Sequence, residues 1–214
     1  MRIIPSIASA NQLILKEEIL SLGDSPYLHI DIEDTSFMPS ITFGLRTIKA
    51  IASCSGAELD AHLMVANPGD FIRPLHDIGI KRICAHIEGL VFPARIIEMI
   101  RSARMEGGLA LTMKTPVEQL LPYREIISYV LILSSEEDGE ESFNPFALEK
   151  LRRARELLPS CVGLWVDGGV TEELLGEVVK NGADTVIMGR SVWQSGNPKA
   201  CLEKMQNDPF LKLC

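Results

Sequence analysis

The chain has 214 residues, 46% of them hydrophobic, and a formal net charge of −8 at pH 7. Nucleic acids and anionic membranes are bound by basic surfaces, so this charge argues against both classes of partner, and no apolar run approaches the roughly 18 residues of a membrane span. The five cysteines are scattered without a CxxC pair, and the first residues lack the apolar core of a signal peptide, so we expect a cytoplasmic protein with reduced thiols.

Short β-type runs alternate with amphipathic helical runs from the first residue onward. The predicted strands cover residues 2–8, 27–33, 59–65, 82–87, 108–113, 129–134, 162–166 and 185–188. The predicted helices cover residues 11–20, 45–53, a stretch after Pro68, 93–104, 117–126, 146–158, 171–181 and 198–206. Eight β-then-α units without a linker or a composition break indicate an α/β protein, a single (β/α)8 TIM barrel over residues 1–214.

A doubly wound sheet would alternate in the same way, but it normally carries a glycine-rich nucleotide turn after its first strand. The corresponding turn here, residues 6–10, contains no glycine. The barrel is therefore the favoured interpretation.

The second predicted strand carries side chains that can bind a metal ion. His29 and Asp31 are two residues apart, so a strand places both on one face. His62 and Asp167 occupy similar places near the ends of the third and seventh strands. Because catalytic residues of TIM barrels lie at the C-terminal ends of the strands, we expect these four side chains to converge. Two imidazoles and two carboxylates suit a divalent first-row metal.

Short motifs distributed from the first strand to the last resemble those of the ribulose-phosphate 3-epimerase family, and most closely a divergent branch of sugar-phosphate epimerases encoded with bacterial carbohydrate-uptake genes. The motifs are residues 5–10, 29–31, 37–44, 62–65, 166–170 and 182–184. The resemblance implies a TIM barrel with one divalent metal ion (zinc, iron, manganese or cobalt) held by His29, Asp31, His62 and Asp167. It also implies that Asp31 and Asp167 are the catalytic acid/base pair.

Inversion of a carbinol carbon beside a ketone needs such a pair. One carboxylate removes a proton from one face, and the other returns a proton to the opposite face of the enediolate. A metal ion stabilises the developing negative charge as a Lewis acid. Within the resemblance, Ser6 is expected to hydrogen-bond an oxygen at the metal, His62 to contact the substrate, and Met64 to form an apolar wall beside the enediolate.

Two glycine turns fit the phosphate site of a TIM barrel: Gly168-Gly169, and Gly189-Arg190 with the helix that follows. However, the family's glycine-rich loop after the sixth strand is replaced by residues 134–143, with five acidic residues and one glycine. The carboxylates of Glu136–Glu141 would repel a phosphate, so this loop points away or the phosphate is held elsewhere. Arg190 could bind phosphate bidentately or pair with the acidic loop.

Two further strand ends carry polar residues of open function. Glu33-Asp34-Thr35 stands where the family usually has Met-Asp-Gly. By strand parity Glu33 shares the face of Asp31, where it could bind a sugar hydroxyl, support a metal ligand, or do neither. His86 and Glu88 end the fourth strand and either touch the substrate or belong to the structure of the barrel mouth.

These patterns favour a metal-dependent epimerase that inverts carbon 3 of a small ketose phosphate resembling ribulose 5-phosphate. Two alternatives stay open: an epimerase or isomerase for another ketose, with or without a phosphate, and a catalytically silent barrel that binds a sugar or a metal. A decarboxylase on a related barrel is disfavoured, because it would use a lysine-aspartate array where this chain has two histidines. The resemblance also implies a homo-oligomer.

Overall fold

The computed structural model describes residues 1–135 and 142–208. In these residues eight parallel strands form one sheet in the order β1-β8-β7-β6-β5-β4-β3-β2. Ser6 and His29 form a parallel bridge between the two ends of that order, so the sheet curls into a barrel, as predicted. The strands are Arg2–Pro5 (β1), Tyr27–Glu33 (β2), Glu58–Met64 (β3), Arg82–His86 (β4), Glu106–Leu111 (β5), Tyr129–Leu133 (β6), Gly163–Asp167 (β7) and Thr185–Met188 (β8).

The α-helices of the described residues are Leu15–Ser21 (α1), Leu45–Cys54 (α2), Gly69–Ile78 (α3), Pro93–Ser102 (α4), Phe146–Leu157 (α5), Leu175–Lys180 (α6), Arg190–Trp193 (α7) and Pro198–Gln206 (α8). The helix predicted at 117–126 is instead a 3-10 helix, Val117–Tyr123. Pro122 lies inside it and has no N–H to donate, which disfavours a regular α-helix. The short α7 was not predicted. None of the described helices is both long and apolar enough to span a membrane.

The alternation of side chains along each strand separates two apolar clusters. Outward-facing residues such as Leu28, Ile30 and Ile32 pack in the large cluster that includes helix residues. Inward-facing residues form a smaller cluster inside the barrel that includes Tyr129 and Trp165, whose rings stack with centroids 4.3 Å apart. The polar residues of β2 and β3 lie above this layer, toward the C-terminal ends of the strands.

The segment between β2 and α2 reaches across the barrel mouth. Asp34 and Ile41 form an antiparallel bridge within it, and the Phe37 ring packs against His86 with centroids 4.2 Å apart and the ring planes tilted by 32°. Thr35 has a left-handed backbone, with φ of 71°. This segment therefore lies against the strand ends where the candidate site is found.

Candidate active site

Four residues from three strands meet at the C-terminal end of the barrel. One ligand atom from each of His29, Asp31, His62 and Asp167 lies within 4.8 Å of the others. The His29 Nε2 atom is 3.2 Å from Asp31 Oδ1 and 3.6 Å from Asp167 Oδ2. The His62 Nδ1 atom is 3.4 Å from Asp31 Oδ1 and 3.6 Å from Asp167 Oδ2. The cluster is able to hold a metal ion.

The strand register explains this meeting. In the β2–β3 pair, His29 lies opposite Asp60 and Asp31 lies opposite His62. On each of these two strands the two residues are two positions apart, so their side chains share a face. That face is the one that points into the barrel. Asp167 ends β7, which is separated from β2 by β8 and β1 around the barrel.

Asp60 determines which nitrogen of His29 faces the cluster. The Nδ1 atom of His29 forms a hydrogen bond with Asp60 Oδ1, and both side chains are buried. A carboxylate accepts the ring proton, so Nδ1 carries a hydrogen, and in the neutral ring the lone pair belongs to Nε2, the nitrogen that faces Asp31. Asp60 was not assigned a role from the sequence, although its position two residues before His62 places it on the same strand face.

His62 presents its other ring nitrogen to the cluster. Its Nδ1 atom is fully buried and has no hydrogen-bond partner among the described residues, whereas its Nε2 atom lies 2.8 Å from His86 Nε2. A buried nitrogen without a partner is costly unless something else binds it. Together with the carboxylates of Asp31 and Asp167, this atom fits a divalent metal ion.

Hydrogen bonds fix both the carboxylate and the backbone carbonyl of Asp31. The Ser6 hydroxyl donates to Asp31 Oδ2 at 2.6 Å, while Oδ1 faces the two imidazoles. The Thr42 hydroxyl donates to the Asp31 carbonyl at 2.6 Å. One carboxylate oxygen is thus directed toward the imidazoles and the other is fixed by a hydroxyl.

The protonation of this cluster is dominated by charge pairing. Burial lowers the pKa of His29, but Asp60 and Asp31 outweigh it and raise that pKa well above its usual value. Burial also lowers the pKa of His62, which Asp167 and Asp31 raise. Conversely, burial raises the pKa of Asp31, yet the two histidines hold it well below its usual value. The carboxylates therefore favour positive charge at their centre, which protons or a metal cation can supply.

A cavity of about 880 Å³ opens above these residues. Its lining includes all of the predicted substrate-binding residues except the buried His62, together with Glu33: Ser6, Glu33, Met64, Gly168, Gly169, Gly189 and Arg190. The cavity runs from the metal-ligand cluster to the two glycine turns. Glu33 lines this cavity and can therefore contact a ligand, which agrees with the strand parity that places it on the face of Asp31. The acidic stretch Glu136–Glu141 lies outside the described residues, and its predicted effect on phosphate stays a prediction.

The two glycine turns leave no room for a Cβ atom at Gly168 or Gly189. Gly168 has φ of 105°, and a Cβ atom there would lie 2.6 Å from the Ser135 backbone nitrogen. At Gly189 a Cβ atom would lie 2.2 Å from the Ser9 hydroxyl oxygen. The Ser134 hydroxyl oxygen lies 2.7 Å from the Asp167 carbonyl oxygen and 2.6 Å from that of Gly168, and its one hydrogen can be donated to either. The turn after β7 is therefore tightly fixed next to Asp167.

His86 contacts His62 of the cluster, and Glu88 contacts His86. His86 Nδ1 is 3.2 Å from Glu88 Oε2, and its Nε2 faces His62. Burial lowers the pKa of His86 to about 4. Neither residue is among those that line the cavity. The sequence left open whether these two residues touch the substrate or have a structural role in the barrel. The structure favours the structural role.

The whole fold and the sequence both have relatives among known proteins. The family model for the ribulose-phosphate 3 epimerase family matches residues 2–193. The ribulose-phosphate 3-epimerase of Helicobacter pylori strain J99 is 31% identical over 212 residues, covering 97% of each chain. The enzyme of the same name from Schizosaccharomyces pombe is 32% identical, covering 96% of this chain and 92% of its own.

Solved structures of lower identity share the barrel. A mutant tryptophan synthase α-subunit from Pyrococcus furiosus has a TM-score of 0.71 at 17% identity, covering 100% of this chain and 98% of its own. Orotidine 5′-phosphate decarboxylase from Pyrococcus horikoshii has a TM-score of 0.68 at 15% identity, covering 98% of this chain and 99% of its own. At such identities the likeness concerns the TIM-barrel fold alone.

Proposed function

The chain belongs to the ribulose-phosphate 3-epimerase family, and from this membership we propose that it is an isomerase that inverts carbon 3 of a small ketose phosphate. Membership by itself makes the protein an epimerase of this family. The proposed substrate resembles ribulose 5-phosphate, and the proposed route runs through an enediolate. The observation that carries the proposal is the approach of Asp31 and Asp167 to the same two imidazoles from separate parts of the barrel.

Two carboxylates so arranged suit a two-base inversion. One aspartate takes the proton from carbon 3, and the other delivers a proton to the opposite face of the enediolate. Asp31 is oriented by Ser6, and Asp167 by the fixed turn that follows it. Burial of the two imidazoles lowers the local dielectric constant, which strengthens the charge interactions at the site.

The proposed metal ligands are His29 Nε2, Asp31 Oδ1, His62 Nδ1 and Asp167 Oδ2. A divalent metal bound there would supply Lewis-acid stabilisation of the negative charge that develops on the substrate oxygens. The unpartnered Nδ1 of His62 and the orientation of His29 by Asp60 support this choice of atoms. Which of zinc, iron, manganese or cobalt is used is left to metal analysis of the purified protein.

The cavity lining supports the proposed orientation of the substrate. The phosphate would lie near Gly168, Gly169, Gly189 and Arg190, where backbone N–H groups and a guanidinium can serve as donors. The carbon to be inverted would then lie near Met64 and the two aspartates. His62 would contact the substrate only from the floor of the site.

The cytoplasmic location and the homo-oligomeric state remain proposals. The first is supported by the name of a rice relative, a cytoplasmic isoform.

Solvent exchange tests the reaction. Pentulose 5-phosphates and hexulose 6-phosphates are incubated with enzyme in deuterated water, and deuterium at carbon 3 is measured by NMR. We expect incorporation for at least one compound, and its loss in Asp31→Asn and Asp167→Asn. The matched control is Asp77→Asn, which removes the same charge from an exposed position on α3 and should behave like wild type.

The two alternatives give different results in the same experiment. Equal exchange with and without the phosphate would favour an unphosphorylated ketose. The sequence feature that motivates this alternative is the group of acidic residues at 136–141. Tight metal binding without exchange on any ketose would identify a silent binding barrel and reject the proposed reaction.

A further inference from the structure

A chain of hydrogen bonds leads away from the candidate metal cluster through the interior of the barrel. His62 Nε2 lies 2.8 Å from His86 Nε2, and His86 Nδ1 lies 3.2 Å from Glu88 Oε2. The other Glu88 oxygen accepts from the Thr112 backbone N–H at 2.7 Å and from the Thr112 hydroxyl at 2.9 Å. The chain thus joins β3, β4 and the segment after β5.

The donors and acceptors in this chain can be assigned in one direction only. The backbone N–H of Thr112 is always a donor, so Glu88 must accept there. An ionised Glu88 has no proton to give, so the hydrogen between it and His86 belongs to His86 Nδ1. A neutral His86 then offers a lone pair at Nε2, and the hydrogen between the two rings belongs to His62 Nε2. In a neutral His62 ring, Nδ1 is then left without a hydrogen.

We propose that His86 and Glu88 are positioning residues that fix His62 in the tautomer whose Nδ1 atom is free to bind a metal ion. They act through His62 and touch neither the metal nor the substrate. The proposal rests on the metal site of the proposed function. In this proposal His86 and Glu88 orient His62 in the same way as Asp60 orients His29.

The surroundings of the chain keep its members in place. Lys150 Nζ donates to the carbonyl oxygens of Thr112 and Thr115, which anchors the segment that holds Glu88. The Phe37 ring packs against the His86 ring with centroids 4.2 Å apart, which restricts rotation of the imidazole. Both nitrogens of His86 therefore stay directed at their partners.

Two isosteric or near-isosteric substitutions separate this role from ordinary packing. In Glu88→Gln the amide oxygen must keep the Thr112 N–H, so the NH2 group turns to His86 Nδ1 and reverses the hydrogens along the chain. His62 Nδ1 would then carry the proton. In His86→Gln the amide oxygen can still accept from His62 Nε2, and its NH2 group can donate to Glu88, so the direction is preserved.

Zinc affinity, measured by competition with a chromogenic chelator, should follow that difference. We expect Glu88→Gln to weaken Zn²⁺ binding by about 10- to 100-fold, while His86→Gln stays closer to wild type. A purely structural role predicts the reverse order, because His86→Gln removes a buried ring and Glu88→Gln barely changes shape. Glu106→Gln is the matched control, since that glutamate also accepts a hydrogen bond, from Arg82 Nε at 3.1 Å, but at the other end of the barrel.

Nitrogen-15 NMR of the metal-free wild-type protein provides a test that needs no folded variant. The expected spectrum shows hydrogen on His62 Nε2 and on His86 Nδ1, with the remaining nitrogen of each ring unprotonated, at a pH where both rings are neutral. Hydrogen on His62 Nδ1 or His86 Nε2 would overturn the proposal. The same holds if Glu88→Gln binds Zn²⁺ as tightly as wild type. Failure of wild type itself to bind any divalent metal would instead reject the metal site of the proposed function.

Discussion

The hydroxyl of Ser6 donates a hydrogen bond of 2.6 Å to the carboxylate of Asp31 across the junction where β1 and β2 close the barrel. The indole of Trp193 donates to the Ser6 carbonyl at 2.7 Å, so α7 fixes the residue that orients Asp31. Closure of the barrel and orientation of a proposed catalytic base thus depend on the same residue.

Replacing Ser6 by alanine should impair catalysis more than metal binding. The hydrogen bond goes to Asp31 Oδ2, whereas Oδ1 faces the imidazoles. Hydrogen bonds to charged groups contribute about 1.5–3 kcal/mol, so we expect Ser6→Ala to lower kcat/KM by about 10- to 100-fold. Deuterium exchange at carbon 3 gives the rate and chelator competition gives the Zn²⁺ affinity. A variant with unchanged exchange would show that Ser6 does not orient the base.

Removal of the Asp60 carboxylate should weaken metal binding. Asp60 accepts the ring hydrogen of His29, and without that charge His29 Nε2 is a poorer and less well-oriented ligand. We expect Asp60→Asn to reduce Zn²⁺ affinity by about 10- to 100-fold. Asp184→Asn is the control, because Asp184 also accepts hydrogen bonds beside the sheet but lies far from the cluster. Equal affinities in the two variants would contradict the role of Asp60.

Alanine at Gly168 should destabilise the fold. The new Cβ atom would lie 2.6 Å from the Ser135 backbone nitrogen at a φ of 105°, which combines a backbone clash with a strained conformation. We expect a loss of about 2–4 kcal/mol in the free energy of unfolding, measured by urea denaturation. Gly56→Ala has open space around it and no left-handed backbone, so it should change stability by less than about 0.5 kcal/mol.

Thr35 adopts a backbone conformation that suits glycine or asparagine better. Its φ is 71°, and it stands where the resembling family usually has glycine. A β-branched residue in the left-handed region is strained by about 1–2 kcal/mol, whereas asparagine tolerates that region. We expect Thr35→Asn to raise the free energy of unfolding by about 1 kcal/mol. Thermal denaturation of the two proteins measures this, and a lower Tm for the variant would reject the strain.

Lys150 should make stability depend on pH in the alkaline range. Burial lowers its pKa to about 8, against the attraction of Glu88. A lysine in the unfolded chain titrates near pH 10.4, so between about pH 8 and 10.4 the unfolded state binds more protons and stability rises with pH. Below about pH 8 both states are protonated and the contribution is constant.

Comparison with Lys150→Met isolates that contribution, because the other titrating groups are shared. Urea denaturation of both proteins at pH 7.5, 9 and 10 should show wild type gaining stability relative to the variant as pH rises. A constant difference over this range would mean that the pKa of Lys150 is not lowered on folding.

The sequence by itself determined the alternation of strands and helices, the TIM barrel, and the polar strand ends. These features are local: a strand repeats every two residues and a helix about every 3.6, so apolar spacing indicates both the element and the face each residue occupies. Val117–Tyr123 departed from the prediction because a proline within the segment overrides that spacing. The family resemblance rested on motifs of the same local kind, and the family matches confirmed it.

Only the tertiary structure decided how the polar side chains pair. The register of β2 on β3 sets His29 beside Asp60, and His62 reaches His86 on β4, so the nitrogens that face the cluster depend on neighbours far away in the chain. The sequence assigned no role to Asp60, and for His86 and Glu88 it left open whether they touch the substrate or belong to the barrel mouth. Their partners are fixed by the register between neighbouring strands, which brings together residues distant in the chain and leaves no pattern in any single segment.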